Sequence, residues 1–317
     1  MKPRALERLE KTLARLAKEQ GLAQERLRRW VSFLALCGVL ERAVNEGILE
    51  SYDLKGGVAL ELRFAEAARA TKDIDIGVPV ERTKRLRVFQ DAVALGFDDF
   101  TILLKGKSLN MDKVDAVRLE LAIRYRTRAW QTIAVDLGPS GRGAVELVVP
   151  TIRGVAAMGL RLPSPVRCLN LSEQIAQKLH ACTGSYSAGR ARDVLDILLI
   201  DMLGKLDAKK VRAAAEQVFE ERATHAFPPT VQIAAEWQPE LEVLAKDLGY
   251  PMTSATEIEA RFRAFVVLLA RGGGRFEVRE NRSCREHLVF RELRQSFPVE
   301  PSSRHLKSGS TQRSADR

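Results

Sequence analysis

The stretch Thr71-Lys72-Asp73-Ile74-Asp75-Ile76-Gly77-Val78 sets two carboxylates two residues apart among apolar side chains. In an extended chain such residues share a face, so Asp73 and Asp75 project together while Ile74 and Ile76 point the other way, into a core. Neighbouring carboxylates repel each other, and a cation between them removes the repulsion. Oxygen donors alone suit Mg²⁺ or Mn²⁺, which keep positions open for water and phosphate. The bland competitor is the solvated face of an edge strand. Asp136 weighs against it: in Thr132-Ile133-Ala134-Val135-Asp136-Leu137 it lies on the face opposite Ile133, Val135 and Leu137, where a neighbouring strand could supply a third metal carboxylate. Glu120, on the polar face of the preceding strand, competes for that place.

Gly56-Gly57 stands shortly before a helical pattern. Glycines let the backbone approach a phosphate closely, with amide groups and a helix N-terminus aimed at it, although a bare Gly-Gly is also an ordinary turn. On a helix from Ser172, Ile175, Ala176, Leu179 and Cys182 form the buried stripe, and Lys178 lies at its margin, either reaching phosphate oxygens or snorkelling to solvent. Asp193 and Asp196 are three apart, with Arg192 four before Asp196; plain intrahelical ion pairing accounts for both. His180 reads as a packing or capping residue, because nothing in sequence forms a His-based triad around it. If the strand already runs extended at Thr71, its hydroxyl shares the acids' face; the competing reading is an ordinary β-branched strand residue.

These residues need elements to position them. Leu6, Leu9, Leu13 and Leu16, then Trp30, Phe33, Leu34, Cys37 and Leu40, predict two helices over residues 1 to 48. Strands are expected over 69–78, 117–123 and 132–137, with helices through Val58, Leu60 and Leu62 and over 83–95. Helix plus mixed strands gives an α/β (α+β) core with a mixed sheet over 49–165, ending at the Pro163-Ser164-Pro165 punctuation. A C-terminal helical domain follows over 166–297, with helical spacing over 172–183, 190–203, 207–222, 229–247 and 255–271. From 298 to 317 the chain is rich in Ser and Arg and poor in apolar residues, a composition that predicts disorder. No internal repeat is present.

With 317 residues, 45% of them apolar, the chain can bury a sizeable core. Lys and Arg outnumber Asp and Glu by 51 to 41, a formal charge of +10, which favours a polyanionic partner. Met1 to Arg29 holds nine basic and four acidic residues, either an RNA footprint or a solvated helix laced with ion pairs. Cys37, Cys168, Cys182 and Cys284 are far apart, without CxxC spacing, and read as reduced thiols. Neither a signal-peptide core nor a transmembrane-length apolar run is found, so a soluble, cytoplasmic protein is expected, with no membrane partner.

The order Lys55-Gly56-Gly57-Val58-Ala59-Leu60, then Arg69-Ala70-Thr71-Lys72-Asp73-Ile74-Asp75, resembles the nucleotidyltransferases of the AbiEii toxin family, the mycobacterial MenT toxins among them. The likeness resumes at Ser172-Glu173-Gln174-Ile175-Ala176-Gln177-Lys178-Leu179-His180-Ala181 and at Arg190-Ala191-Arg192-Asp193-Val194-Leu195-Asp196. It covers roughly residues 50 to 200, and three blocks in this order are far more specific than any one. It implies a nucleotidyltransferase-like core, a nucleotide-binding turn at Gly56 and Gly57, metal carboxylates at Asp73 and Asp75, an essential lysine at Lys178 and a late aspartate at Asp193. Asp193 would orient Lys178 or the nucleotide, leaving Asp196 structural; Asp136 matches no family motif and stays a structural inference.

The implied reaction is attack of a hydroxyl on the α-phosphate of a nucleoside triphosphate with release of pyrophosphate, with Lys178 and one or more of Arg69, Arg190 and Arg192 neutralising the triphosphate. Resemblance also implies an RNA acceptor, the tRNA 3′ end, and a cognate antitoxin. Phosphorylation of Thr71 by an antitoxin acting as a kinase would add about two negative charges beside the site, making Thr71 a regulatory candidate. Two other classes stay open: transfer to a small molecule or protein side chain, and an inactive module that holds RNA or a partner.

Overall fold

Strand formation follows the apolar alternation. In the computed structural model Leu54, Ile74, Ile76, Val135 and Leu137 are fully buried, each contributing about 1.5–3 kcal/mol relative to exposure. They belong to β1 (Asp53–Lys55), β2 (Asp73–Val78) and β5 (Arg128–Pro139). Four further strands, β3 (Phe100–Met111), β4 (Ala116–Tyr125), β6 (Val145–Val148) and β7 (Val166–Leu169), complete a mixed seven-stranded sheet of order β3-β4-β5-β2-β1-β7-β6. The β2–β5 and β1–β7 pairs are parallel and the others antiparallel. The structure describes residues 5–272 apart from 112–114, 142, 144, 162, 164 and 185–188. Cys284, the stretch 273–297 and the tail over 298–317 lie outside the described residues.

Helices α1 (Ala5–Gln20) and α2 (Gln24–Asn45) precede the sheet. Helix α2 is apolar almost all round, from Leu27 to Ala43, and joins one core with the inner faces of the strands, as expected for a helix enclosed on most sides. Helices α3 (Gly56–Phe64) and α4 (Arg82–Val93) connect the strands. The predicted strand over 69–78 begins only at Asp73, because the Thr71 amide donates to Glu61 of α3 at 3.1 Å and Lys72 sits in a bend. Strand β3 escapes alternation: Leu103-Leu104 and Gly106 break it, and pairing with β4 shifts register between Lys105 and Leu109.

Beyond β7, Asn170 caps α5 (Leu171–Thr183) by accepting from the Glu173 amide at 2.8 Å. It is followed by α6 (Ala191–Leu203), α7 (Ala208–Arg222), α8 (Gln238–Asp247) and α9 (Ala255–Ala270), the last opened by a Ser254–Glu257 capping box. The helix expected over 229–247 is shorter. Pro228-Pro229 disfavour helix in the residues before them, and helix forms only from Ala235, as a 3₁₀ turn leading into α8 with Pro239 in its first turn.

Candidate active site

Register across four strands builds a row of charges. Lys55 of β1 stands opposite Asp75 of β2, Asp75 opposite Asp136 of β5, and Asp136 opposite Arg118 of β4. Directly opposed side chains share a face, so the row runs base, acid, acid, base. Arg118 Nη2 donates to Asp73 Oδ2 at 2.8 Å, and its Nε lies 3.3 Å from Asp136 Oδ1. That second contact lacks hydrogen-bond alignment: Asp136 Oδ1 is buried and accepts no hydrogen bond. Lys55 Nζ is tethered to the Pro139 carbonyl at 3.0 Å.

The two central acids sit close enough to disturb each other. Asp75 is half-buried, and burial and then the charge of Asp136 raise its pKa to about 6, against the opposing pull of Lys178 and Lys55. Burial also raises Asp136, with Arg118 acting in the opposite sense. Gly56, with φ of +64°, turns the backbone beside them; a Cβ there would fall 2.0 Å from Asp75 Oδ2. Glycine is thus required twice, for conformation and for room. Gly57 packs on Thr71, whose Cβ would be 2.9 Å from an added Cβ. The first turn of α3 that these glycines open has no side-chain cap, leaving its amides available to an anion.

A second cluster lies on α5 and α6. Lys178 Nζ donates to Asp193 Oδ1 and Asp196 Oδ2, both at 2.7 Å. Arg69 grips Asp196 with two parallel bonds of 3.0 Å, and Arg190 reaches Asp193 Oδ2 at 3.2 Å. Burial alone would lower the Lys178 pKa, but Asp196 and Asp193 outweigh it and hold the ammonium charged. Asp196 is 1% exposed; burial would raise its pKa, yet Lys178 and Arg69 pull it below the ordinary value. Lys178 acts electrostatically on Asp75, so the two clusters are neighbours.

The remaining expected residues fall elsewhere. Arg192 is exposed and pairs with Glu240 of α8 at 3.0 Å, so neither late aspartate makes an intrahelical pair with it. Glu120 is exposed and lies 3.5 Å from Lys105. Thr71 precedes β2, and its hydroxyl donates to the Asp73 carbonyl at 3.3 Å. His180 packs against Phe219 and His225 with ring centroids 4.9 and 4.6 Å away. In the N-terminal segment Arg15 pairs with Glu19, Arg28 with Glu10 and Arg26 with Glu61.

Sequence reasoning missed Arg118, Lys55 and the tie between Asp196 and Lys178. Lys55 had only its place before Gly56 as a signal, and Arg118 only its place in an alternating strand. Glu61 was missed too: it is buried, accepting from Trp30 Nε1 and Arg26 Nε, each at 2.9 Å, and from the Thr71 amide.

Among the described residues no three acidic, histidine or cysteine side chains already converge as a metal cage. Arg118 stands among the carboxylates instead. The donor chemistry nevertheless fits a hard divalent cation: all donors are oxygen, and Asp136 Oδ1 is open. No described helix is long and apolar enough to cross a membrane.

The family model of the nucleotidyl transferase AbiEii toxin, type IV toxin–antitoxin system, matches residues 39–283. Among solved structures, the nucleotidyltransferase toxin MenT4 from Mycobacterium tuberculosis H37Rv is similar at 18% identity and a TM-score of 0.56, over 90% of this chain and 97% of that one. The antibiotic-resistance factor ANT(2'')-Ia is 17% identical over 61% of this chain and 94% of its own, but its TM-score of 0.37 is too low to support a structural comparison. No curated protein matches. With the family model spanning most of its length and a fold similar to that of MenT4, this chain belongs to the AbiEii family of nucleotidyltransferase toxins of type IV toxin–antitoxin systems.

Proposed function

We propose that the chain transfers a nucleotide from a nucleoside triphosphate to the 3′ end of an RNA, a tRNA in particular, with Asp73, Asp75 and Asp136 holding Mg²⁺ or Mn²⁺. The observation that carries this reading is the in-register opposition of Asp75 and Asp136 beside the Gly56 turn. Two carboxylates forced together, at a cost in pKa, are best explained by a ligand that needs both. A cation bound there would neutralise triphosphate charge and favour ionisation of the attacking hydroxyl.

The chain's own residues supply the rest. Gly56 and Gly57 let the triphosphate approach the first amides of α3. Lys178, fixed by Asp193 and Asp196, presents a permanent positive charge toward the row, and Arg69 and Arg190 extend it. Arg192 would join by leaving its pair with Glu240, an exposed contact worth little. The hydroxyl oxygen of the RNA end attacks the α-phosphorus, its proton passes to a carboxylate of the row, and the bond to the pyrophosphate oxygen breaks.

The net charge of +10 supports a polyanionic acceptor. Membership of a toxin–antitoxin family implies a cognate antitoxin as partner. Thr71, two residues from Asp73 and packed on Gly57, is the proposed point of control, where an added phosphate would repel the nucleotide.

Purified protein should be incubated with total RNA and each labelled triphosphate in turn. Label in tRNA-sized RNA, abolished by chelator, is expected. Label confined to protein or to a small-molecule fraction would contradict the RNA acceptor. Acceptor affinity should also fall steeply with salt, whereas a small acceptor gives a shallow dependence.

A further inference from the structure

Among the described residues, three basic side chains that border the proposed site have anchors away from the row of acids. Lys55 is held by the Pro139 carbonyl, Lys178 by Asp193 and Asp196, and Arg69 by Asp196. Arg118 differs from them. Its described contacts are with Asp73 and Asp136 themselves, two of the three carboxylates assigned to the cation.

The contact is built for exchange rather than permanence. The Arg118 side chain is 41% exposed and Asp73 46%, so solvent screens the pair and either partner can rotate away at small cost. Nothing in the packing depends on it, since β4 is held by its ladders to β3 and β5 and by buried Leu119 and Leu121 on the other face. A guanidinium also satisfies the acids only in part: it aligns with Asp73 Oδ2 and leaves Asp136 Oδ1 without a hydrogen bond. An oxygen-seeking cation among these acids would use the lone pairs that Arg118 faces or leaves open.

We propose that Arg118 is a positioning residue that serves as the site's resident counter-ion. It keeps Asp73 and Asp136 in place before the cation arrives and competes with it for them, so the Arg118 contact and full cation coordination exclude one another. This inference rests on the assignment of Asp73, Asp75 and Asp136 as cation ligands. It makes empty-site metal affinity weak by design, and removing one unit of positive charge next to the acids should strengthen it.

The test is Mn²⁺ binding by electron paramagnetic resonance on the full chain without nucleotide, comparing wild type, Arg118→Gln, Arg118→Lys and Asp75→Asn, with circular dichroism to confirm folding. Arg118→Gln should bind Mn²⁺ about tenfold more tightly than wild type, the order expected for deleting a like charge at this range. Arg118→Lys, which keeps the charge without the fork, should stay within about threefold of wild type. Equal or weaker binding by Arg118→Gln, against measurable binding by wild type that Asp75→Asn removes, would overturn the counter-ion role while leaving the cation site standing. Absence of any Mn²⁺ binding that depends on Asp75, in both wild type and Arg118→Gln, would overturn the cation site and this inference with it.

Discussion

The row on the sheet and the cluster on α5 and α6 hold the same kinds of charge in opposite conditions. On the sheet, Asp75 and Asp136 face each other, both pKa values are raised, and one oxygen goes without a partner. On the helices, Asp196 receives Arg69 and Lys178 together, its pKa is lowered, and Asp193 completes the ring. Such a difference is what the proposed reading requires of a place prepared for a ligand beside a scaffold that holds a lysine still. Unpaired acids cost stability and are retained for what they bind, whereas a satisfied buried network orders the elements that carry it.

The largest expected effect is on catalysis at the row. Asp75→Asn should lower transfer by about a hundred- to a thousandfold, the scale seen when a preorganised electrostatic group is removed, as read by incorporation of labelled nucleotide. Yet the same change should stabilise the metal-free protein by about 1–2 kcal/mol near pH 7.5 in urea unfolding, after discounting for solvent. Loss of both stability and activity would mean that Asp75 belongs to the fold rather than to a ligand.

Next comes the helical cluster, where the sign reverses. Asp196→Ala leaves Lys178 and Arg69 short of a buried partner and should destabilise by about 3–5 kcal/mol, measured by the same unfolding curves. Gly56→Ala should cost less, about 1–2 kcal/mol, from a methyl-bearing residue at positive φ. It should still impair transfer, because the new Cβ displaces the Asp75 carboxylate; full activity in this variant would remove the turn from the site.

Acid should act on the two halves in opposite senses. Asp75 binds its proton more tightly folded than unfolded, so the cost of its charge is full above about pH 6 and is relieved as pH falls toward 3.8. The advantage of Asp75→Asn should therefore shrink over that window. His180 is the reverse: burial, then Arg222 and His225, lower its pKa to about 4. Its contribution is intact above 6.5 and is lost as pH falls toward 4. Unfolding curves of Asp75→Asn and His180→Gln against wild type between pH 4 and 8 should diverge accordingly. The smallest effect belongs to Thr71→Val, which should keep most transfer activity, whereas Thr71→Glu should lose it. Equal activity in both would end its regulatory role.

Legible in the sequence was the part of the candidate site written in local spacing. Asp73 and Asp75 share a face by period two, Gly56-Gly57 announces a turn, and Lys178 lies at the edge of a helical stripe. Hidden was everything decided by register and by distant partners. Arg118 acquires meaning only because β4 pairs with β5 at Asp136, and Asp196 only because Arg69 arrives from 127 residues away. Strand β3 was illegible for a related reason, since a bulge destroys the alternation that would announce it. The short strands β1, β6 and β7, of three to four residues each, offer too little pattern to read.

Following the two ends of the triphosphate tests the central claim most directly. Wild-type protein with Mg²⁺ and RNA should be given each nucleoside triphosphate labelled at the α-phosphate or, in parallel, at the γ-phosphate. Nucleotidyl transfer predicts that α-label enters the RNA and γ-label leaves in pyrophosphate, with both outcomes lost in Asp75→Asn. Incorporation of γ-label, or α-label incorporation that persists undiminished in Asp75→Asn, would contradict the assignment of this row of aspartates to nucleotide transfer.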